Sequence, residues 1–254
     1  MERIRKPFQG VINIVRFNWH FYVLSAILVV AIFFLRISPA QPFQYYLNIL
    51  GFLIIAGTII SLLSSFYIYD LSVLYKFSWL DKSIQITNQK IINIHAGFDE
   101  TSSLLHEKYP DSELAVFDFY DEEKHTEISI RRARNAYPPY PGTKEISTSS
   151  LPLPNNSVDD IFLILAAHEI RNDEERIIFF KELNRVLINS GKIIVTEHLR
   201  DLPNFLAYNF GFFHFLPKST WQKTFEFANL KISHEIKITP FITTFLLEKN
   251  GAAS

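Results

Sequence analysis

Cysteine is absent from this chain of 254 residues, which excludes disulfides, thiolate metal ligands and cysteine nucleophiles together. A dominant charge is absent as well. The 25 basic and 26 acidic residues leave a net −1, so no global field draws the protein toward nucleic acid or acidic partners. No two histidines or acids share a recurring ligand spacing, so the sequence predicts no metal site. Internal repeats and low-complexity tracts are missing too.

Charge is also missing locally. Trp19 to Leu35 carries none beyond what His20 can hold, and Tyr45 to Tyr69 carries none at all. At a rise of 1.5 Å per residue, roughly 20 apolar residues cross a hydrocarbon core. The second stretch is therefore ample and the first just sufficient, which predicts a two-helix membrane hairpin with spans at about 19–36 and 45–69. Trp19, Tyr22, Tyr45, Tyr46, Tyr67 and Tyr69 sit near the ends, as interfacial aromatics do. Pro39 and Pro42 make the link a tight turn. Arg3, Arg5, Lys6 and Arg16 precede the pair, Arg36 lies in the turn, and Lys76 and Lys82 follow, which places both termini on the cytoplasmic side. A pair of buried core helices is the alternative, but such helices rarely run this long without charge. A signal peptide cut near Ser38-Pro39-Ala40 would leave the second stretch as an anchor, so the hairpin is kept. In residues 72–80, Val73, Leu74, Phe77 and Leu80 could form one helical face lying at the headgroups, with a strand as the alternative. The composition break near residues 80–90 divides an anchor, 1–85, from a second unit, 86–254.

From Lys90 onward, strand and helix patterns alternate. Strands are expected at 91–96, 114–117, 143–148, 161–165 and 192–196. Helices are expected at about 100–109, 122–136 and 172–187, the last capped by Asn172 and stopped by Ser190-Gly191. Strands apolar on both faces and separated by helices make a parallel sheet covered on both sides. After a helix near 218–229, Ile232 to Ile238 and Phe241 to Leu247 are joined so closely that they must form a hairpin, reversing the last strand. The expected fold is thus α/β: a seven-stranded, mostly parallel Rossmann-like sheet with one reversed terminal strand.

Residues 150–170 (SLPLPNNSVDDIFLILAAHEI) and 181–199 (KELNRVLINSGKIIVTEHL) resemble class I methyltransferases dependent on S-adenosylmethionine. The family's turn, apolar fourth strand and following helix are matched by Leu151-Pro152-Leu153-Pro154, Ser157, Asp159, His168, Glu182, Arg185-Val186-Leu187, Gly191 and Glu197. The ending from Trp221 is similar too, so the resemblance covers about residues 88–249. It departs at the opening turn, where Asn93, His95, Gly97 and Asp99 stand for a richer glycine pattern, and near Ser147 and Thr148, where the family has an acid. S-adenosylmethionine carries no phosphate, so one glycine can suffice for close approach. An NAD(P) cofactor would need more.

The resemblance implies a cofactor face made of His95, Ala96, Gly97, Asp99, Asp118, Phe119, Ser149, Leu151, Ala166 and His168. Asp118, at a strand's carboxyl end, is placed to take the ribose hydroxyls, and Asp99 or Glu100 to meet the α-amino group. Polar residues gather where the fifth strand ends, so His198 or His214 is expected as base, with Glu197 and Arg200 orienting; His106, His125 and His234 are discounted. The apolar segment 204–216 could line a pocket, touch the bilayer or pack as a core helix. The run Arg131-Arg132-Arg134 reads as a solvated helix face or a headgroup contact. These features imply a methyltransferase that modifies a hydrophobic, membrane-associated small-molecule or lipid acceptor, partnered by the lipid bilayer and not by nucleic acid. The alternative is a cofactor-free, membrane-tethered interaction module of the same fold.

Overall fold

Three helices come first in the structure, a computed structural model that describes residues 5–35, 41–81, 89–125 and 127–251. They are α1 (Gln9–Phe17), α2 (Trp19–Leu35) and α3 (Gln41–Phe66). A π-helical turn, Tyr67–Leu71, and a 3-10 turn, Leu74–Lys76, prolong the last of them. One continuous stretch, Phe43–Lys76, is long and apolar enough to cross a membrane. Trp19–Leu35 meets that standard only together with Gln9–Phe17, and those two are bent by 72° where Asn18 interrupts them. Among the described residues the structure thus holds one spanning-length helix, and a second only if the bent pair counts as a single span. Most of the inter-helix turn lies outside the described residues, as does the boundary expected at 85 and 86.

The segment expected at the headgroups is corrected. Leu74, Phe77 and Leu80 are fully buried, and only Val73 of that face is exposed. Phe77 and Leu80 pack with Phe162, Ile194 and Leu246 on one face of the sheet. An apolar stripe suits a sheet face as well as an interface, and here the sheet takes it. Full burial of Phe77 alone contributes about 1.5–3 kcal/mol.

The sheet follows. Its elements are β1 (Lys90–His95), α4 (Ser102–Lys108), β2 (Glu113–Asp118), α5 (Ile128–Ala136), β3 (Lys144–Glu145), β4 (Val158–Ile164), α6 (Asp173–Val186), β5 (Leu187–His198), α7 (Leu202–Tyr208), α8 (Lys218–Phe227), β6 (Leu230–Thr239) and β7 (Ile242–Lys249). The strand order is β3-β2-β1-β4-β5-β7-β6, with β7 antiparallel to both neighbours and the first five strands parallel. The seven-stranded sheet with one reversed strand is as expected. β3 shrinks to two residues at the edge, where little pairing holds it.

Local chemistry sets the helix ends. Asn172 accepts the Glu175 amide at 2.9 Å, and three acids fill the first turn of α6, facing its positive end. That helix stops at Val186, earlier than Gly191, because Leu187 already pairs with Val158. Gly191 is needed for another reason: a β-carbon there would stand 2.2 Å from the Asp159 carbonyl oxygen. α5 begins only at Ile128, since His125 Nδ1 accepts the Asp121 amide at 2.8 Å and closes a turn instead. His125 is accordingly buried in a turn and does not stand on the expected helix. Most of the core lies on the face where Phe179, Phe180, Leu183, Trp221 and Phe225 cover the strands.

Candidate active site

β1 ends at His95 and hands the chain to Ala96 and Gly97, whose φ of +84° is the left-handed conformation that glycine adopts without a β-carbon penalty. Asp99 Oδ1 then accepts the amides of Thr101 and Ser102, both at 2.9 Å, and so caps α4. Asn93, inside β1, donates to Thr101 Oγ1 and Ser102 Oγ at 2.9 and 2.8 Å, fastening the turn to the sheet. Burial holds His95 below the usual imidazole range against the opposing pull of Asp99 and Asp118. The neutral ring suits its geometry, since Nδ1 accepts the Gly97 amide at 3.1 Å. Two buried polar atoms of this turn, His95 Nε2 and Asp99 Oδ2, have no hydrogen-bond partner among the described residues. Such orphans are rare in folded proteins and mark a place where a ligand's polar groups belong.

The N-terminal segment roofs the turn. Arg5 donates to Glu100 at 2.7 Å and stacks over Tyr75, whose hydroxyl also donates to Glu100 at 2.9 Å. Phe98 lies against Phe17 and Tyr137 beneath α1, so it does not fill the cleft. The Tyr137 hydroxyl reaches Asn13 at 2.8 Å. Arg132 holds the carbonyl of Phe17 at 2.5 Å and contacts His20 at 2.8 Å. Arg132, expected on a solvated face, thus makes tertiary contacts, because α5 runs beneath the helical roof.

The contact made by Arg134 is the important one. Asp118, at the carboxyl end of β2, accepts the Tyr120 amide at 2.9 Å through Oδ1 and pairs with the Arg134 guanidinium through Oδ2. The Arg134 stem lies over Gly97, with Cδ 2.6 Å from where a β-carbon would stand. A cavity of about 130 Å³ remains, lined by Gly97, Asp118, Arg134, Tyr137, Thr143 and Glu145. Small-molecule sites usually run from about 300 Å³ upward, so Arg134 occupies part of the room an adenosyl compound needs. The glycine, the acid and the two orphaned atoms nevertheless fit that compound once the guanidinium swings aside.

The other expected cofactor residues divide. Ala96, Leu151 and Ala166 are buried close to strand ends, while Ser149 is exposed and bonded to Ser147 at 2.9 Å. The Phe119 ring packs into the core against Phe179 and His125. Thr148 donates to Glu175, so no acid arises from the 147–148 position itself. His168 belongs to a different group. It stands in a 3-10 turn after β4, with Nδ1 2.6 Å from Glu197 Oε2 and Nε2 3.2 Å from Glu169 Oε1. His214 Nε2 reaches the same Glu169 oxygen at 3.4 Å, and Arg171 lies against the His214 ring. Burial opposes a charge on His168, yet Glu197 and Glu169 prevail and raise it to about 10. Burial likewise pushes Glu169 up, but His168 and His214 hold it well below the carboxylate range.

His198, expected beside these groups, is sealed. Its ring stacks on Phe215 at 4.6 Å, Nδ1 meets Asn204 Oδ1 at 2.9 Å and Nε2 meets the Tyr69 hydroxyl at 2.8 Å. Asn204 donates its amide to Asp201 and to Phe241, so its oxygen faces the ring and Nδ1 carries the hydrogen. Burial lowers His198 to about 3 despite the support of Asn204. Arg200 donates to the carbonyls of Phe215 and Phe213 at 2.7 Å each and so braces the turn that carries His214. Tyr69, Arg134 and Arg171 were not expected here. None carries a local sequence signal, since each meets its partner across the fold.

A family model described as a methyltransferase domain matches residues 102–195. In three dimensions the chain is similar to an S-adenosylmethionine-dependent methyltransferase from Methanosarcina mazei, with 16% identity, a TM-score of 0.50, and coverage of 68% of this chain and 97% of that one. It is similar also to a protein from Pyrococcus horikoshii OT3, with 16% identity, a TM-score of 0.51, and coverage of 68% and 89%. These structural likenesses show a shared fold. No curated protein matches the sequence. Family match and fold together support an enzyme of the methyltransferase class, with S-adenosylmethionine as its cofactor.

Proposed function

We propose that this S-adenosylmethionine-dependent methyltransferase works at a membrane surface on a hydrophobic or lipid acceptor. One observation carries the reading. The apolar helices and the exposed apolar face of the catalytic unit adjoin each other, and that face leads into the polar cluster. Only 11% of the spanning-length window of α3 is buried, whereas a core helix of a globular protein would be mostly covered. Beside it, α7 and the following 3-10 turn expose Leu202, Phe205, Leu206, Phe210 and Phe213. Gly57 of α3 approaches Asn209, so the two apolar surfaces touch. The same turn, Asn209–His214, ends on the histidine that meets Glu169.

When bound, S-adenosylmethionine supplies a methyl group activated by its sulfonium. Gly97 would allow close approach, Asp118 would take the ribose hydroxyls once Arg134 releases it, and the unpartnered Asp99 Oδ2 would meet the α-amino group. The carboxylates of Glu197 and Glu169 engage both ring nitrogens of His168, and His198 is neutral but enclosed. Neither is poised to remove a proton near pH 7, which favours an acceptor that is already acidic, such as a carboxylate, enol or phenol. The enzyme's own work is then alignment and exclusion of water.

The test uses the full chain in phospholipid vesicles with methyl-labelled S-adenosylmethionine and a total membrane lipid extract. Label should enter the organic phase and be lost with Asp118→Ala. Label confined to water-soluble products would end the membrane-acceptor reading. Occupation of the cleft by Arg134 is the one observation favouring a cofactor-free tethered module, for which no S-adenosylmethionine binding would be measured at millimolar ligand.

A further inference from the structure

We infer that His168, Glu169 and His214 form a binding site for a divalent transition-metal ion, with open positions available to an oxygen of the acceptor. Each residue offers one ligand atom, and the three atoms lie within 4.8 Å of one another. The distances from Glu169 Oε1 to the two Nε2 atoms are 3.2 and 3.4 Å. Ligands held about 2.0–2.1 Å from a tetrahedral ion stand about 3.3–3.4 Å apart, so the two edges that meet at Glu169 match a coordination shell, while the two imidazoles stand within 4.8 Å of each other. Two imidazoles and one carboxylate are the donor set of catalytic zinc and of non-haem iron sites, both of which keep positions open.

The support around the ligands is that of a metal centre. Glu197, completely buried on β5, receives both the Nδ1 hydrogen of His168 and its backbone amide, at 2.6 and 3.2 Å. A carboxylate on the far nitrogen fixes the tautomer and turns the other lone pair toward the ion. His214 sits on a turn that Arg200 pins at Phe213 and Phe215. Two carboxylates, Glu169 and Glu197, are buried here within reach of one imidazole, an arrangement that a divalent cation neutralises. Without an ion, Arg171 Nη2 stands 2.9 Å from His214 Nε2, the ligand nitrogen itself, and Glu127 approaches Nδ1 at 3.7 Å. Being exposed, the guanidinium can withdraw to solvent when an ion enters. The cluster escapes sequence inspection because two ligands are adjacent and the third lies 45 positions later, a separation with no periodic meaning.

Metal binding itself does not depend on the methyltransferase reading, whereas the role of the open positions rests on it. The full chain in detergent is stripped with chelator and titrated with Zn²⁺ by calorimetry, then loaded with Co²⁺ for visible spectroscopy. One saturable equivalent is expected, abolished by His214→Ala and by Glu169→Gln. Glu197→Gln should weaken it by about 10- to 100-fold, as loss of a carboxylate behind a histidine ligand does. Arg171→Ala should tighten it. Acetohydroxamate should shift the Co²⁺ spectrum by taking the open positions. Binding of S-adenosylmethionine to the same variants should be unchanged, which separates this site from the cofactor cleft. Absence of saturable binding, or binding that survives both His214→Ala and Glu169→Gln, overturns the site. A Co²⁺ spectrum unmoved by acetohydroxamate overturns its open positions.

Discussion

Replacement of Arg134 by alanine should make the cofactor bind more tightly. In the unliganded chain its guanidinium holds Asp118, its stem covers Gly97, and its Cζ lies 4.6 Å above the Tyr120 ring. Glu145, mostly exposed and 3.9 Å away, adds little. A charge-assisted hydrogen bond to a buried carboxylate contributes about 1.5–3 kcal/mol, and a partly exposed cation–π contact about 0.5–1 kcal/mol. Because Arg134 is nearly a third exposed, solvent screening discounts both contributions, leaving about 1–2 kcal/mol. S-adenosylmethionine must displace these contacts to reach Asp118, so their removal should lower Kd by about 5- to 30-fold. The same change leaves Asp118 buried without its counter-charge, so the unliganded variant should lose about 1–3 kcal/mol of stability and recover part of it on binding. Isothermal titration of wild type, Arg134→Ala and Asp118→Ala, with a thermal melt of each, measures both effects. If Arg134→Ala weakens binding as Asp118→Ala does, the arginine holds the ligand instead of occupying its place, and the reasoning fails.

Arg176 is completely buried, donating to the Ile170 carbonyl at 2.9 Å and to Thr224 at 3.1 Å, and pairing with Asp173. Arg176→Ala should cost about 3 kcal/mol in urea melts, and a loss under about 1 kcal/mol would contradict that account. His198 is lowered to about 3 by burial, so below the unfolded pKa near 6.5 the unfolded state binds a proton that the folded state refuses. Stability should therefore fall with acidification between about pH 6.5 and 3, and at pH 5 this group costs about 2 kcal/mol relative to pH 7. Against His198→Gln, which does not titrate, the difference in stability should shrink by that amount, whereas a pH-independent difference would refute the assignment. Phe210, 87% exposed, can become glutamate with stability changed by less than about 0.5 kcal/mol, while methyl transfer to lipid-soluble acceptors in vesicles drops several-fold. Unchanged transfer would remove that face from the membrane.

Periodicity made much of the fold legible. The run Ile91–Ile94, the apolar Ile161–Leu165 and the capped helix after Asn172 each announce themselves within a few residues, because strand and helix repeats are short-range properties. The close link at Thr239-Pro240 likewise required a hairpin. Failures came where an apolar stretch had more than one surface to satisfy. Leu74, Phe77 and Leu80 carry a stripe that fits a membrane interface or a sheet face, and only the assembled sheet shows which is available.

The site divides in the same way. That Gly97 would turn the chain and Asp118 would end a strand follows from residue type and local order, so the amino-acid sequence alone determined the strand-to-turn frame around these two residues. Tertiary structure alone decided which charges meet: Arg134 on Asp118 across 16 residues, His168 on Glu197 across 29, and Tyr69 on His198 across 129. Electrostatic and hydrogen-bond energies depend on distance in space and on burial, and neither is a property of separation along the chain.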